Sequence, residues 1–207
     1  MGQTDTERHA AACEAFARVV ALTPAFDKIL KPFYDGGNRG VVIAGGAIRD
    51  AFHDVPIKDI DVFIPKIEVD PQTALAALKE AFGPDGHLDF VSYGDDSEVL
   101  FTFTFPTLSF APVNFIVVAD KVPLTGDRCR MDFGLCQAWY DGIQIECTEA
   151  FQDDYWNQTF TLKRCASLVD FQRSMRRWSR LAKKYPGHTL VIPPEFQPYE
   201  SLLATAA

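Results

Sequence analysis

The stretch VVIAGGAIRDAFHDVPIKDID, residues 41–61, limits what this chain can fold into more than any other. VVIA at 41–44 is short, apolar and mostly β-branched, which reads as a buried strand. Gly45-Gly46 ends it and leads into a brief helical stretch, GAIRDAFH. KDIDVFIP at 58–65 reads as the next strand, closed by Pro65. Strand side chains alternate between faces, so Asp59 and Asp61 share one face while Ile60 points into the core. Two neighbouring carboxylates repel each other and resist desolvation, so the arrangement asks for something positive between them.

One or two Mg²⁺ ions (or Mn²⁺) supply that charge, because hard cations take carboxylate oxygens and fill their remaining positions with phosphate and water. The glycine pair fits the same chemistry. Without a Cβ, the backbone N–H groups of Gly45 and Gly46 can approach phosphate oxygens, and a helix N-terminus that follows favours an anion. Arg49, one turn on, can reach the same phosphates. A lone D-x-D is often a solvated strand end and a lone G-G is usually a turn. Found together across one short helix, they favour a nucleotide site.

The rest of the chain reads as α+β. Two N-terminal helices, HAAACEAFARVVAL and PAFDKILKPFY, are split by Pro24, and DGGNRG at 35–40 stops the second. DPQTALAALKEAF at 70–82 is a helix with Asp70 as cap and Pro71 in its first turn. HLDFVSY, SEVLFTFTF and APVNFIVVA are strands, with GDD as a hairpin turn. Phe101, Phe103 and Phe105 alternate and so should face the core. A further hairpin forms around Asp141-Gly142 in MDFGLCQAWYDGIQIECTEAF. SLVDFQRSMRRWSRLAKKY is a helix, and HTLVIPPEFQPYE is a Pro-rich end piece. The predicted architecture is a mixed sheet flanked by helices, with a basic helix near the C-terminus. Its expected parts are a helical extension at 1–40, a core at 41–162, and the basic helix with its tail at 163–207.

A net charge of −8 argues against a general nucleic-acid coat. The charge is uneven: Lys163 to Lys184 holds eight basic residues and one acidic one, a local +7, which leaves −15 elsewhere. Arg173, Arg176 and Arg180 lie on one side of that helix, at i, i+3 and i+7. Such a face, working with the paired aspartates, would clamp a polyphosphate; the plainer reading is a solvated basic face with Trp178 and Leu181 turned inward. Five cysteines at 13, 129, 136, 147 and 165 form no C-x-x-C, so each reads as a reduced, small buried hydrophobe. No apolar run approaches the ~20 residues of a bilayer span, and the N-terminus lacks the pattern of a secretory signal. The expectation is a cytoplasmic chain with no membrane partner.

Gly45-Gly46-Ala47-Ile48-Arg49-Asp50 followed by Lys58-Asp59-Ile60-Asp61 resembles the active-site signature of polymerase-β-type nucleotidyltransferases, closest to the branch of bacterial CCA-adding enzymes and poly(A) polymerases (the class II tRNA nucleotidyltransferases). That pattern is G-G-x-x-R-D, then D-x-D. A second family segment, R-R-D-F-T-x-N, resembles Arg130-Met131-Asp132-Phe133-Gly134-Leu135-Cys136, with Met131 and Cys136 as departures. A third, E-D-x-x-R on a neck helix, resembles Val169-Asp170-Phe171-Gln172-Arg173. The resemblance covers residues 41 to about 187 and implies a head and neck without the family's long tRNA-holding body. Compact relatives of this kind resemble phage-encoded chains.

The resemblance implies a transfer of a nucleoside monophosphate from a nucleoside triphosphate to an acceptor hydroxyl, with an RNA 3′ end as the acceptor. Asp59 and Asp61 would hold the metal. Gly45, Gly46, Arg49, Arg130 and Arg176 would bind the nucleotide sugar and phosphates. Asp170 and Arg173 would read the base. Many members use a third carboxylate on a neighbouring strand; here that strand offers Asn114, so Glu98 and Asp132 are the substitutes, with Asp132 preferred and capping a turn as its plainer role. His53 reads as a loop residue. The departures keep two other readings open: a non-catalytic relative that binds nucleotides or a protein, and an enzyme that nucleotidylates proteins.

Overall fold

The computed structural model describes residues 5–89, 98–119 and 122–205. In chain order these form α1 (Asp5–Val20), α2 (Thr23–Asp35), β1 (Val42–Ala44), α3 (Gly46–Phe52), β2 (Ile60–Pro65), α4 (Pro71–Phe82), β3 (His87–Asp89), β4 (Val99–Phe105) and β5 (Val113–Val118). There follow β6 (Ala138–Tyr140), β7 (Ile145–Cys147), α5 (Glu149–Asn157), β8 (Thr159–Thr161), α6 (Leu168–Lys184), β9 (Thr189–Val191) and α7 (Gln197–Thr205). The chain divides into two compact units. One comprises Met1–Leu124 and Trp139–Glu146, the other Thr125–Ala138 and Cys147–Ala207.

The first unit is built on a sheet of order β3-β4-β5-β2-β1-β6-β7. β2 and β5 run parallel while β1 pairs antiparallel with β2 and β6, and β4 with β3 and β5, so the sheet is mixed as expected. One face is apolar because the odd positions of each strand are: Ile60, Val62 and Ile64 lie in register with Val113, Phe115 and Val117, and Phe103 and Phe105 continue the rows on β4. α2 and α4 cover this face with aromatic rings. Phe33 and Phe82 stand 5.6 and 5.0 Å from Phe115, and Phe82 meets Phe105 edge-on. Phe105 and Phe115 are fully buried while Phe33 and Phe82 are half-buried; a fully buried ring contributes roughly 1.5–3 kcal/mol. Phe103 and Phe105 are buried as expected, and Phe101 packs edge-on against Phe103.

Local signals explain the element ends. The Asp70 carboxylate accepts from the N–H groups of Gln72 and Thr73, which starts α4 as predicted. Pro24 opens α2 and separates it from α1. At the second hairpin the Asp141 carboxylate accepts from the N–H groups of Ile143 and Gln144, and Gly142 takes a positive φ of 83°. The GDD turn expected at 94–96 lies outside the described residues.

The second unit holds β8 and β9 as a parallel pair. Phe160, fully buried, packs against Phe133, Trp178 and Tyr185. Two stretches that the sequence reading left without elements are filled here. The residues after the hairpin form a helix, α5, capped by Thr148, whose hydroxyl accepts from the Phe151 N–H. The Pro-rich end piece is ordered: it gives β9, a 3-10 turn at Pro194–Phe196, and α7, where Tyr199 meets Phe171 of α6. Of the cysteines, Cys129 and Cys136 are buried, Cys147 and Cys165 half-buried, and Cys13 is exposed rather than packed away.

Candidate nucleotide and metal site

In the first unit the register brings the glycine turn and the aspartate pair to one end of the sheet. Ile43 lies opposite Val62 in the antiparallel β1–β2 pair. Ala44, the last residue of β1, therefore lies level with Asp61, and Gly45-Gly46 follows at the end where Asp59 stands. Ile60 is fully buried, while Asp61 and Asp59 are half-buried, with 34% of the Asp59 side chain exposed. The alternation expected of this strand is present.

Gly45 adopts φ 78° at the N-cap of α3, a left-handed conformation that a side chain would strain. Gly46 is different. A Cβ placed there would stand 3.8 Å from Arg49 Nη2, an ordinary contact. The Arg49 head therefore lies beside the glycine turn, as expected, but its residue is only 4% exposed. Its Nε and Nη2 both donate to Asp50 Oδ1, at 3.0 and 2.6 Å, so a buried carboxylate offsets its charge. The far end of α3 is tied down by Arg18, which donates to the carbonyls of Ala51 and Phe52 at 3.1 and 2.7 Å. His53 takes up the Arg49 carbonyl through Nδ1 at the C-cap, a loop role as read from the sequence.

Next to the aspartates the sheet carries a polar row. Asn114 of β5 stands in register with Asp61 and with Thr104 of β4. Asn114 Nδ2 donates to Asp61 Oδ1 at 3.0 Å, and Thr104 Oγ1 donates to Asn114 Oδ1 at 3.0 Å. Glu98 does not join this row. Its neighbour Val99 pairs with Val118, four residues along β5 from Asn114, which is roughly 13 Å away at the rise of a strand. Among the described residues there is no cluster of three or more His, Cys, Asp or Glu side chains placed to hold a metal. The donors are thus a carboxylate pair, and two carboxylates suit Mg²⁺, which completes its shell with phosphate and water oxygens.

In the second unit the Asp132 carboxylate is fully engaged. Oδ1 accepts from the Phe133 N–H at 3.1 Å and from Arg177 Nη1 at 2.6 Å, and Oδ2 accepts from the Ser174 hydroxyl at 3.1 Å. It caps its own turn and fastens the middle of α6. The turn-capping role read as the plainer one is present, and the part expected of Asp132 as a third carboxylate stays a proposal. Arg130 is half-buried, with its carbonyl accepting from Arg164 Nη1 at 3.4 Å. Met131 and Cys136, the two departures from the family pattern, are buried at 4% and 0% exposure.

α6 starts with a reciprocal cap. Ser167 Oγ accepts from the Asp170 N–H, while Asp170 Oδ2 accepts from the Ser167 hydroxyl and the Ala166 N–H. Asp170 Oδ1 accepts from Arg173 Nη2 at 3.1 Å, so the expected base-reading pair does meet. Along α6 the buried positions are Phe171, Ser174 and Leu181, with Trp178 against Phe160, so the inward turn of Trp178 and Leu181 holds. Arg176 and Arg180 are exposed and Arg173 is half-buried. Arg177, given no separate role from the sequence, is the arginine that turns inward.

Asp154 was invisible in the sequence. It is 1% exposed and accepts four hydrogen bonds, from the N–H groups of Leu135 and Thr161 and the hydroxyls of Thr159 and Thr161. It joins α5, β8 and the loop that carries Arg130 and Asp132. Gly134 makes this possible, since a Cβ there would come within 2.6 Å of Asp154 Oδ2.

No protein-family model matches the chain, and no curated protein does. Solved structures do. The Thermotoga maritima CCA-adding enzyme complexed with tRNA aligns over 84% of this chain and 40% of its own, at 15% identity and a TM-score of 0.56. A CCA-adding enzyme with ATP aligns over 86% and 42%, at 16% identity and a TM-score of 0.52. An apo tRNA-processing enzyme aligns over 100% and 49%, at 14% identity and a TM-score of 0.51. The chain spans two fifths to one half of the length of these structures. The likeness is one of fold: the chain has the nucleotidyltransferase fold of the CCA-adding and tRNA-processing enzymes. No helix among the described residues is long and apolar enough to cross a membrane.

Proposed function

We propose that this protein is a Mg²⁺-dependent nucleotidyltransferase that moves a nucleoside monophosphate from a nucleoside triphosphate to an acceptor hydroxyl, with an RNA 3′ end as the acceptor. The observation that carries the reading is that Asp61 on β2, and Asp59 just before that strand, stand at the sheet end where the Gly45-Gly46 turn leaves β1. Asp59 and Asp61 are the residues that would hold Mg²⁺ or Mn²⁺. Bound there, the ion supplies Lewis-acid stabilisation of the charge that develops on the α-phosphate and favours the alkoxide form of the acceptor. In the reaction the acceptor oxygen forms a bond to the α-phosphorus in line with the departing oxygen. The bond to the β-phosphate breaks, pyrophosphate leaves carrying the electron pair, and the hydroxyl proton of the acceptor passes to solvent.

The remaining residues bind and orient. Gly45 and Gly46 offer backbone N–H groups with no Cβ to block a phosphate. Arg49 and Arg130 belong to the first and second motif segments, and Arg176 is exposed on α6. The Asp170–Arg173 pair presents an acceptor beside a donor, which matches the edge of a base. Fold likeness to structures containing ATP and tRNA supports nucleotide and RNA as partners.

The test is transfer of label from a panel of α-labelled nucleoside triphosphates, with Mg²⁺ and total RNA, run beside Asp59→Ala and Asp61→Ala proteins. Label on RNA, lost in both variants, is the expected result. Label on a protein band would assign a protein hydroxyl as the acceptor. Nucleotide binding with no transfer and no pyrophosphate would mean a non-catalytic relative and overturn the proposal.

A further inference from the structure

We infer that Asn114, held by Thr104, is a positioning residue for the Asp59–Asp61 metal site and that it fixes the site at two negative charges. This inference rests on the proposed reading of those aspartates as metal ligands. Three strands place the row: β2 supplies Asp61, β5 supplies Asn114 directly beside it, and β4 supplies Thr104 beside Asn114. A carboxylate can only accept, so the amide must turn its NH₂ toward Asp61 and its carbonyl away. The Thr104 hydroxyl then donates to that carbonyl, which locks the amide in this orientation; both contacts are 3.0 Å. The consequence is that Asp61 Oδ1 is held from the side by a neutral donor, which fixes the plane in which the carboxylate stands.

The position matters because it is the one on β5 paired directly with Asp61. An acid there would add a third negative charge in van der Waals range, and with it a stronger but more repulsive cation site. An amide adds direction without charge. The two carboxylates then bind a divalent ion weakly on their own and depend on the phosphates of the incoming nucleotide to complete the shell. That dependence couples metal uptake to nucleotide uptake.

The experiment is a titration with Mn²⁺ alone, reading free ion by its electron paramagnetic resonance signal, on the full chain. Asn114→Asp should tighten Mn²⁺ binding by about tenfold or more, by adding a ligand of full charge. Asn114→Ala and Thr104→Val should each weaken it by about three- to tenfold, as expected for a lost orienting bond. In the Asn114→Ala background, Thr104→Val should do nothing further, because Thr104 acts through the amide. Thermal melts of each variant confirm the fold, and Asn114→Ser provides a second, smaller polar variant that should fall between Asn114 and Ala.

Equal loss from Thr104→Val with and without Asn114, or unchanged affinity in Asn114→Asp, would overturn the inference while leaving the metal pair standing. If Asp59→Ala and Asp61→Ala leave Mn²⁺ binding untouched, the metal reading and this inference fall together.

Discussion

Arg177 Nη1 stands 2.6 Å from Asp132 Oδ1, and the Asp132 side chain is 11% exposed against 32% for Arg177. One end of the pair is thus nearly dry and the other wet. Such a pair stabilises less than its distance suggests, but removing one partner strands the other. Arg177→Ala should leave a buried carboxylate short of its cation and cost about 2 kcal/mol, a melting temperature lower by roughly 4–8 °C in a chain of this size. Asp132→Asn should cost less, because an amide oxygen at the Oδ1 position still accepts from the Phe133 N–H and Arg177, and the Ser174 hydroxyl can turn to accept from the amide NH₂. If Asp132→Asn abolishes transfer while the melt is unchanged, Asp132 has a role beyond fastening α6.

Arg176 offers the matching contrast. It is the preceding residue and is exposed on α6. Substitutions at exposed positions usually stay within about 0.5 kcal/mol, so Arg176→Ala should change stability by no more than that. Its proposed work is on nucleotide phosphates, where a charge-assisted bond contributes about 1.5–3 kcal/mol. Nucleotide affinity in Arg176→Ala should fall about tenfold or more, measured by equilibrium binding of an ATP analogue, with the melting curve unmoved. A variant that melts early and binds normally would reverse the roles given to the two neighbouring arginines.

The parts of this fold that were legible in the sequence are those set by neighbours in the chain. Asp70 and Pro71 announce α4 because a cap and its helix lie within three residues. Asp59, Ile60 and Asp61 announce β2 because alternation is local. The parts that were not legible depend on partners far along the chain. Asn114 looks like a failed acid until its partner Asp61, 53 residues earlier, is seen to need a donor. Asp132 and Asp154 are both acids near aromatic residues, and only the fold shows that each is consumed by hydrogen bonds within the second unit. α5 escaped notice because EAFQDDYWN buries only Phe151 and Asp154, too few positions to show a helical stripe, although Thr148 carried the N-cap signal.

Two glycines separate crowding from function. At Gly134 a Cβ would meet Asp154 Oδ2 at 2.6 Å and the Ala150 carbonyl oxygen at 2.9 Å. The carboxylate is pinned by four hydrogen bonds and the carbonyl belongs to a helix, so neither gives way readily. Gly134→Ala should cost about 1–3 kcal/mol or more, read as a lower urea midpoint. At Gly46 the nearest atom to a Cβ is 3.8 Å away, so Gly46→Ala should fold as well as the parent. The new methyl would stand where a phosphate is proposed to approach. Nucleotide binding should therefore weaken in Gly46→Ala without a change in the urea midpoint.

Tyr34 makes the stability of the first unit depend on alkaline pH. Its hydroxyl faces the carbonyl oxygens of Asp141 and Val41, and its ring fills the space over Gly142, so it ties α2 to the β6–β7 hairpin. Burial, followed by the negative charges of Asp141 and Asp27, pushes its pKa from 10.0 up to about 12. Tyr140 is raised as well, first by burial and then by the hydrogen bond it donates to Asp27. For a phenol the charged form is the deprotonated one, and the folded state holds its proton longer than the unfolded state does. The unfolded chain therefore binds fewer protons above pH 10, and stability falls as pH rises from 10 toward 12. Melting temperatures between pH 8 and pH 11 should be level at first and then decline. Tyr34→Phe should melt lower than the parent at pH 8, because the bonds to Asp141 and Val41 are gone, yet decline less steeply above pH 10. An alkaline decline as steep as the parent's would place its origin elsewhere than this phenol.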